Sequence, residues 1–357
     1  MRHWSLILGI AILVALAGCG QGAPAPAAPA PSQGQAPAAS APGAAQPGAP
    51  PPRVSLLVGL NAVSASIAPL WLALDAGIFA QHGFDVEFIT LQSSSQVAKV
   101  MASGEIPIAL SAAAGVVDAA LAGDDQVLIS GIQNYMNFWV YGRPDIASVA
   151  DLRGKRIGAT RIGSGAHLGL VEMLKRHGLE PDRDAAIMQI GGMPEVGGAL
   201  TAGAVDAGIL SIPWNFRAQD EGMRLIYDVS AQQIPYLQNG LATSRHYIAQ
   251  HEDVVRRFMA AHVEGLARVH KDKATTVDVL ARNLKSDDRA LMERTYDLIE
   301  PLFERVPYPT PASIQTVIDQ RAEELPAARN LTPSQLTEDR FVRELEQNGF
   351  VNRVYNQ

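Results

Sequence analysis

The sequence predicts an α/β protein of two lobes, each a mainly parallel sheet flanked by helices, joined by a two-crossing hinge. Three observations lead there. First, one supersecondary unit is written twice. QSSSQVAKVMASGEIPIALS around Gly104 and GGMPEVGGALTAGAVDAGILS around Gly203 align glycine on glycine, 99 residues apart; Val97 then falls on Val196, Met101 on Leu200, Ile106 on Val205 and Ile108 on Ala207. Each copy reads as an apolar strand, a polar or glycine-rich loop, a short helix, a glycine stop and a second strand. Second, strand-like runs alternate with helical patterns, which indicates open, mainly parallel sheets. Third, the predicted strand ends are small and polar, as befits ligand-holding loops.

The two ends of the argument are set by the N-terminus and by charge. Arg2 and His3 precede a short apolar run, Leu6–Leu16, too short to span a bilayer. It closes on Leu16-Ala17-Gly18-Cys19, which resembles a bacterial lipoprotein signal with Cys19, the only cysteine, as the lipid acceptor. Residues 1–19 are thus read as an address and residues 20–52, almost all Gly, Ala, Pro, Gln and Ser, as a disordered tether. Proline-rich spacers extend about 3 Å per residue, so this one reaches on the order of 100 Å at most. With no other cysteine, disulfides and Cys-ligated metal sites are excluded from the folded part, and a net charge of −7 without a basic cluster argues against nucleic acid.

The elements follow in order. Val54–Leu60 reads as a buried strand, and Pro69 opens a helix to about Gln81, with Trp71 in its apolar face. Phe84–Leu91 alternates like a strand. Helix Ser95–Ala102, strand Ile106–Leu110 and helix Ala114–Leu121 follow, then strands Gln126–Ile132 and Phe138–Tyr141. The turn Asp151–Gly154 leads into another strand, Gly163-Ser164-Gly165 opens a helix to about His177, and the second copy occupies Ala186–Ser211. Pro213 starts a helix, Arg224–Tyr227 is a strand, and Leu241–Thr243 returns to the first lobe. Helices then run over Asp253–His270, Ala274–Leu284, Asp288–Phe303, Pro311–Glu323 and Glu338–Asn348. This order places lobe I in residues 54–138 plus 239–357 and lobe II in 143–235, with crossings near Asn137–Pro144 and Ser230–Gly240.

At this point the chain resembles the type II periplasmic substrate-binding proteins of ABC importers, in the branch that binds nitrate, sulfonates, taurine and thiamine-pyrimidine precursors. The matching segments are Pro69-Leu-Trp-Leu-Ala-Leu-Asp-Ala-Gly-Ile-Phe79, Gly83-Phe-Asp-Val-Glu87, Ser103-Gly-Glu-Ile-Pro107, Asp151-Leu-Arg-Gly-Lys-Arg-Ile157, Gly163-Ser164, and Ala199–Ala207 with Pro213. The resemblance implies the type II periplasmic binding protein fold. It also implies a monomer without cofactor that captures a small solute between its lobes and delivers it to an ABC permease and its ATPase. A lipid on Cys19 would hold it at the bilayer. Two rival readings share the fold: an enzyme of the pyrimidine-precursor-synthesis type and a ligand-sensing subunit of a membrane receptor.

Ligands of open α/β sheets gather beyond the carboxyl ends of the strands. Those positions hold Ser64 and Ser66, Ser94, Ser111 and Ala112 in the first lobe, and Gly163, Ser164, Gly165 and Trp214 in the second; Asn134 lies near the first crossing. Several of these loops run into helix starts, whose unpaired N–H groups and dipole suit anions. Ser66, Ser94 and Ser164 each read first as helix caps when taken singly and as ligand contacts when taken as a set on one crevice, and Trp214 reads equally as a stacking or a packing residue. Enzyme signatures are thin: His167 and Glu172 do not form HExxH, and no G-x-S-x-G elbow occurs. His177, His246, His251, His262 and His270 sit among charged helical residues and read as solvated surface.

Overall fold

The structure is a computed structural model, and it describes residues 53–91 and 93–356. Cys19, the signal, the tether and Gln92 lie outside the described residues. The first sheet is built from β1 (Val54–Leu60), β2 (Phe84–Thr90), β3 (Ile108–Ser111) and β4 (Gln126–Tyr135), and the second from β5 (Trp139–Gly142), β6 (Arg156–Ala159), β7 (Ala186–Gln189), β8 (Ala207–Leu210) and β9 (Arg224–Asp228). A late strand, β10 (Pro235–Ser244), completes the first sheet. The orders are β2-β1-β3-β10-β4 and β7-β6-β8-β5-β9. In each sheet four strands run one way and the inserted one, β10 or β5, runs against them.

The duplication seen in the sequence extends to register. Val58 pairs with Ile108 and Leu60 with Thr90; in the second sheet Ile157 pairs with Ala207 and Ala159 with Gln189, each the first-sheet position plus 99. The helices between obey the same offset: α3 spans Ser94–Ala102 and α6 spans Met193–Thr201. Gly104 and Gly203 take φ of +81° and +74°, the left-handed stop that glycine accepts without a Cβ penalty. Both following strands, β3 and β8, are buried throughout, which their unbroken apolar runs require.

Around the first sheet lie α1 (Ala68–Asp75), α2 (Ile78–Gln81) and α4 (Ala113–Leu121); the second carries α5 (Gly165–Arg176) and α7 (Trp214–Asp220). The single helix expected over 69–81 is therefore two, because Gly77 turns left-handed (φ +70°) between them. The chain passes between the sheets twice, at Met136–Phe138 and at Val229–Ile234. The first crossing comes earlier than expected, since β5 already pairs in the second sheet from Trp139 onward. The crossings lie side by side: Met136 N–H donates to Ile234 C=O (3.1 Å), Val229 N–H to Phe138 C=O (3.1 Å), and Asn137 N–H to Gln238 Oε1 (2.7 Å).

The rest is helical: α8 (Arg245–Lys271), α9 (Lys273–Leu284), α10 (Arg289–Ile299), α11 (Pro311–Glu324), α12 (Arg340–Gln347) and α13 (Phe350–Asn356). Ser244 caps α8 through Tyr247 N–H (2.9 Å), earlier than expected, and His251 kinks it. Phe258 of α8 stacks on Phe79 (5.2 Å) and meets Phe84 edge-on (6.0 Å). His262, expected at the surface, is fully buried beside Ser130, whose hydroxyl lies 3.3 Å from Nε2. Burial pushes its imidazole down to about 3. The C-terminal chain also covers the free edge of β4, where Gly131 N–H donates to Pro307 C=O (2.8 Å) and Leu128 N–H to Leu336 C=O (2.9 Å). That cover lets a nearly all-buried ten-residue strand stand at a sheet edge.

Candidate functional site

The first wall is built from the ends of β1, β2 and β3. Ser93, not Ser94, caps α3, accepting from Gln96 N–H at 3.2 Å. Ser94 is thereby released from capping, and its Oγ accepts from Ala112 N–H (3.1 Å) and from Asn61 Nδ2 (3.3 Å). Ser64 and Ser66 touch hydroxyl to hydroxyl at 2.5 Å. The buried amide of Asn239, on β10, donates to Ser66 (3.1 Å) and to Gln133 (3.0 Å) and faces Asn61 at 3.4 Å. One polar network thus joins five chain segments behind the strand ends. Asn61 belongs to the strand end noted in the sequence; Asn239 and Gln133 carry no local signal, because only the insertion of β10 beside β4 brings them together. Ser111 is buried, and its hydroxyl donates to Ala112 C=O (3.1 Å), so it supports the start of α4.

The second wall is centred on the start of α5. Ser164 is its cap: Oγ accepts from His167 N–H (3.3 Å), donates to Arg161 C=O (2.7 Å) and lies 3.0 Å from Thr160 Oγ1. Gly163, at φ +76°, donates its N–H to His167 Nδ1 (3.2 Å), which places the ring proton on Nε2. Burial keeps the His167 imidazole below its usual range. Tyr236, on β10 of the first sheet, lies against Gly165; a Cβ there would stand 3.0 Å from the ring. Burial pushes its phenol above the ordinary range. Trp214 opens α7 under the Arg217 guanidinium, 4.6 Å from the ring. Three polar atoms of these elements are buried with no hydrogen-bond partner: Trp214 Nε1, Asn215 Oδ1 and Tyr236 Oη.

Asn134 stands near the end of β4, beside the first crossing. Its amide donates to Tyr308 C=O (2.9 Å) and accepts from Thr310 N–H (3.1 Å) and Ser313 Oγ (3.0 Å). The side chain thus docks the C-terminal chain on β4. One hollow of 570 Å³ lies over β1, β2 and α2, and one of 190 Å³ lies at the end of β4, where Asn134, Tyr135 and Asn137 face residues 301–304. Among the described residues no group of three His, Cys, Asp or Glu side chains is placed to hold a metal ion.

Two five-stranded sheets of identical order, joined by adjacent crossings, with polar strand ends leading into helices, define the two-lobed periplasmic binding protein class. The chain belongs to the NMT1/THI5-like family, whose model matches residues 64–275. It is 26% identical over 275 residues to the riboflavin-binding protein RibY of Chloroflexus aurantiacus, covering 75% of this chain and 74% of that protein. Its fold is similar to the alkanesulfonate-binding protein SsuA of Xanthomonas axonopodis pv. citri bound to MOPS (TM-score 0.62, 22% identity, 80% of this chain and 96% of that one). It is also similar to the nitrate-binding protein NrtA of Synechocystis PCC 6803 (TM-score 0.68, 12% identity, 83% and 89%). The same fold occurs in the desulfurization enzyme DSZB (TM-score 0.62, 15% identity, 83% and 99%).

Proposed function

We propose that this protein is the extracytoplasmic solute-binding subunit of an ABC importer, tethered to the bilayer through Cys19, and that it holds a small heteroaromatic solute between its lobes. What supports the reading is the set of polar groups at the strand ends: Asn61, Ser64, Ser66 and Ser94 on one wall, and Gly163, Ser164, Gly165 and Trp214 on the other. Unpaired buried groups cost about 1–3 kcal/mol each. Trp214 Nε1 is a donor, Asn215 Oδ1 an acceptor and Tyr236 Oη either. A ring with both C=O and N–H edges offers partners of both kinds; nitrate or a sulfonate offers acceptors alone. The relationship to a riboflavin-binding protein supports the same class of solute.

In this reading the solute favours the closed state by bridging the walls, and the paired crossings absorb the rotation. The test is a titration of the full chain in mild detergent with riboflavin, uracil, taurine and nitrate, followed by melting temperature and small-angle scattering. Riboflavin or uracil is expected to raise Tm and compact the protein, since a ligand at 100 times its Kd adds about 2.7 kcal/mol. A response to taurine or nitrate alone overturns the heteroaromatic class and keeps the binding role. Silence toward all four, and toward solute co-purifying with the protein, counts against the binding role.

A further inference from the structure

α11 belongs to one lobe and touches the other. Its apolar face, Ile314, Val317, Ile318 and Ala322, is buried. Its start is held on β4 through Asn134, and Arg321 donates through Nε to Asp118 of α4 at 2.9 Å. Charged side chains of its last turns reach α5. Arg321 Nη1 bonds Glu324 (3.2 Å) and lies so near Gly163 that a Cβ there would stand 2.9 Å from it. Lys175 of α5 pairs with Glu323 at 3.6 Å. The Arg321 side chain is only 13% exposed, whereas Lys175 and Glu323 are open to water.

We infer that α11 is a clasp between the lobes, with Arg321 as a positioning residue that sets the loop 163–165 against the first lobe. The contacts of α11 to the first lobe are apolar and hydrogen-bonded; those to α5 are polar. Polar contacts across a boundary separate at lower cost than a packed apolar face, because water replaces the partners. Opening therefore breaks α11 from α5 and leaves α11 on the first lobe. Arg321 is suited to this, since Asp118 keeps its guanidinium paired and oriented whether or not Gly163 is against it. The inference rests on the two-lobed binding reading, but its test needs no solute.

The test is amide hydrogen exchange on the ligand-free full chain in mild detergent. Arg321→Met keeps the apolar stem and removes the guanidinium. It is expected to speed exchange of the amides of residues 163–168 about tenfold while those of α11 and β6 keep their rates. Unchanged exchange at 163–168 overturns the clasp. So does equal acceleration throughout α11, which makes Arg321 a residue of α11 packing alone. Lys175→Glu, at an exposed pair, is expected to speed the same amides about twofold, and Lys175→Glu with Glu323→Lys to restore them; failure of the swap to restore them also overturns the clasp.

Discussion

Asn134→Ala separates a docking residue from a ligand contact. In the folded protein this amide satisfies Tyr308 C=O, Thr310 N–H and Ser313 Oγ, and its side chain is 2% exposed. Truncation leaves two partly buried backbone groups without this partner, while Ser313 Oγ retains its bond to Thr310 C=O (2.8 Å). At about 1–3 kcal/mol for each unsatisfied group, the expected loss is about 3 kcal/mol. At about 2.1 cal/mol/K per residue over roughly 300 folded residues, that corresponds to a fall in Tm of about 5 °C. Differential scanning calorimetry on the full chain measures it, with proteolysis mapping whether residues 304–324 come loose first. A fall in stability below about 0.5 kcal/mol, together with loss of solute binding, would refute the docking role and return Asn134 to the ligand.

Further outcomes are expected. Ser94→Ala lowers solute affinity several-fold and costs about 1 kcal/mol of stability, because the Ala112 N–H loses its acceptor. Ser164→Ala removes a helix cap and costs about 1 kcal/mol as well; a thermal melt beside a titration of each variant reads both, and unchanged affinity in either variant would take that serine off the binding wall. His262 has a folded pKa depressed to about 3, so the unfolded chain takes up its proton first as pH falls. Stability is then lost between pH ~6.5 and ~3, at up to about 1.4 kcal/mol per pH unit, and His262→Gln flattens urea midpoints measured across that range. Gly240→Ala drives a methyl to 2.2 Å from Ser130 C=O, at the β4–β10 ladder; a loss of more than about 3 kcal/mol is expected in a urea melt, and a tolerated alanine would mean the ladder is looser than the structure shows.

The lobes were legible because their signals are local. Strands β3 and β8 are continuous apolar runs, each preceded by a glycine stop, and the 99-residue offset needs only two segments to be compared. The binding walls were legible as strand ends but not as networks. Ser93 and Ser94 are both good caps in sequence; which one caps depends on where the first helical turn closes, a difference of a single residue. Asn239 and Gln133 sit in strands 106 residues apart and meet because β10 enters the sheet out of order. His262 shows a readable signal that composition hid. Its neighbours in sequence include charged residues, yet Val255, Phe258, Met259 and Leu266 share its helical face, and all are buried.

The place of β10 has a consequence for the order in which the chain acquires structure. The strands β3 and β4 are not neighbours; each pairs with β10, which comes from residues 235–244. Every strand of the second sheet lies between residues 139 and 228, so that sheet is complete in one continuous stretch. A chain emerging from its N-terminus therefore closes its second lobe before its first, although the first began to form earlier. Until β10 arrives, β3 and β4 expose unpaired edges, the condition in which strands seek foreign partners. A truncation just before residue 235 should accordingly yield a folded second lobe beside an aggregation-prone first one, which pulse proteolysis of nascent fragments would show.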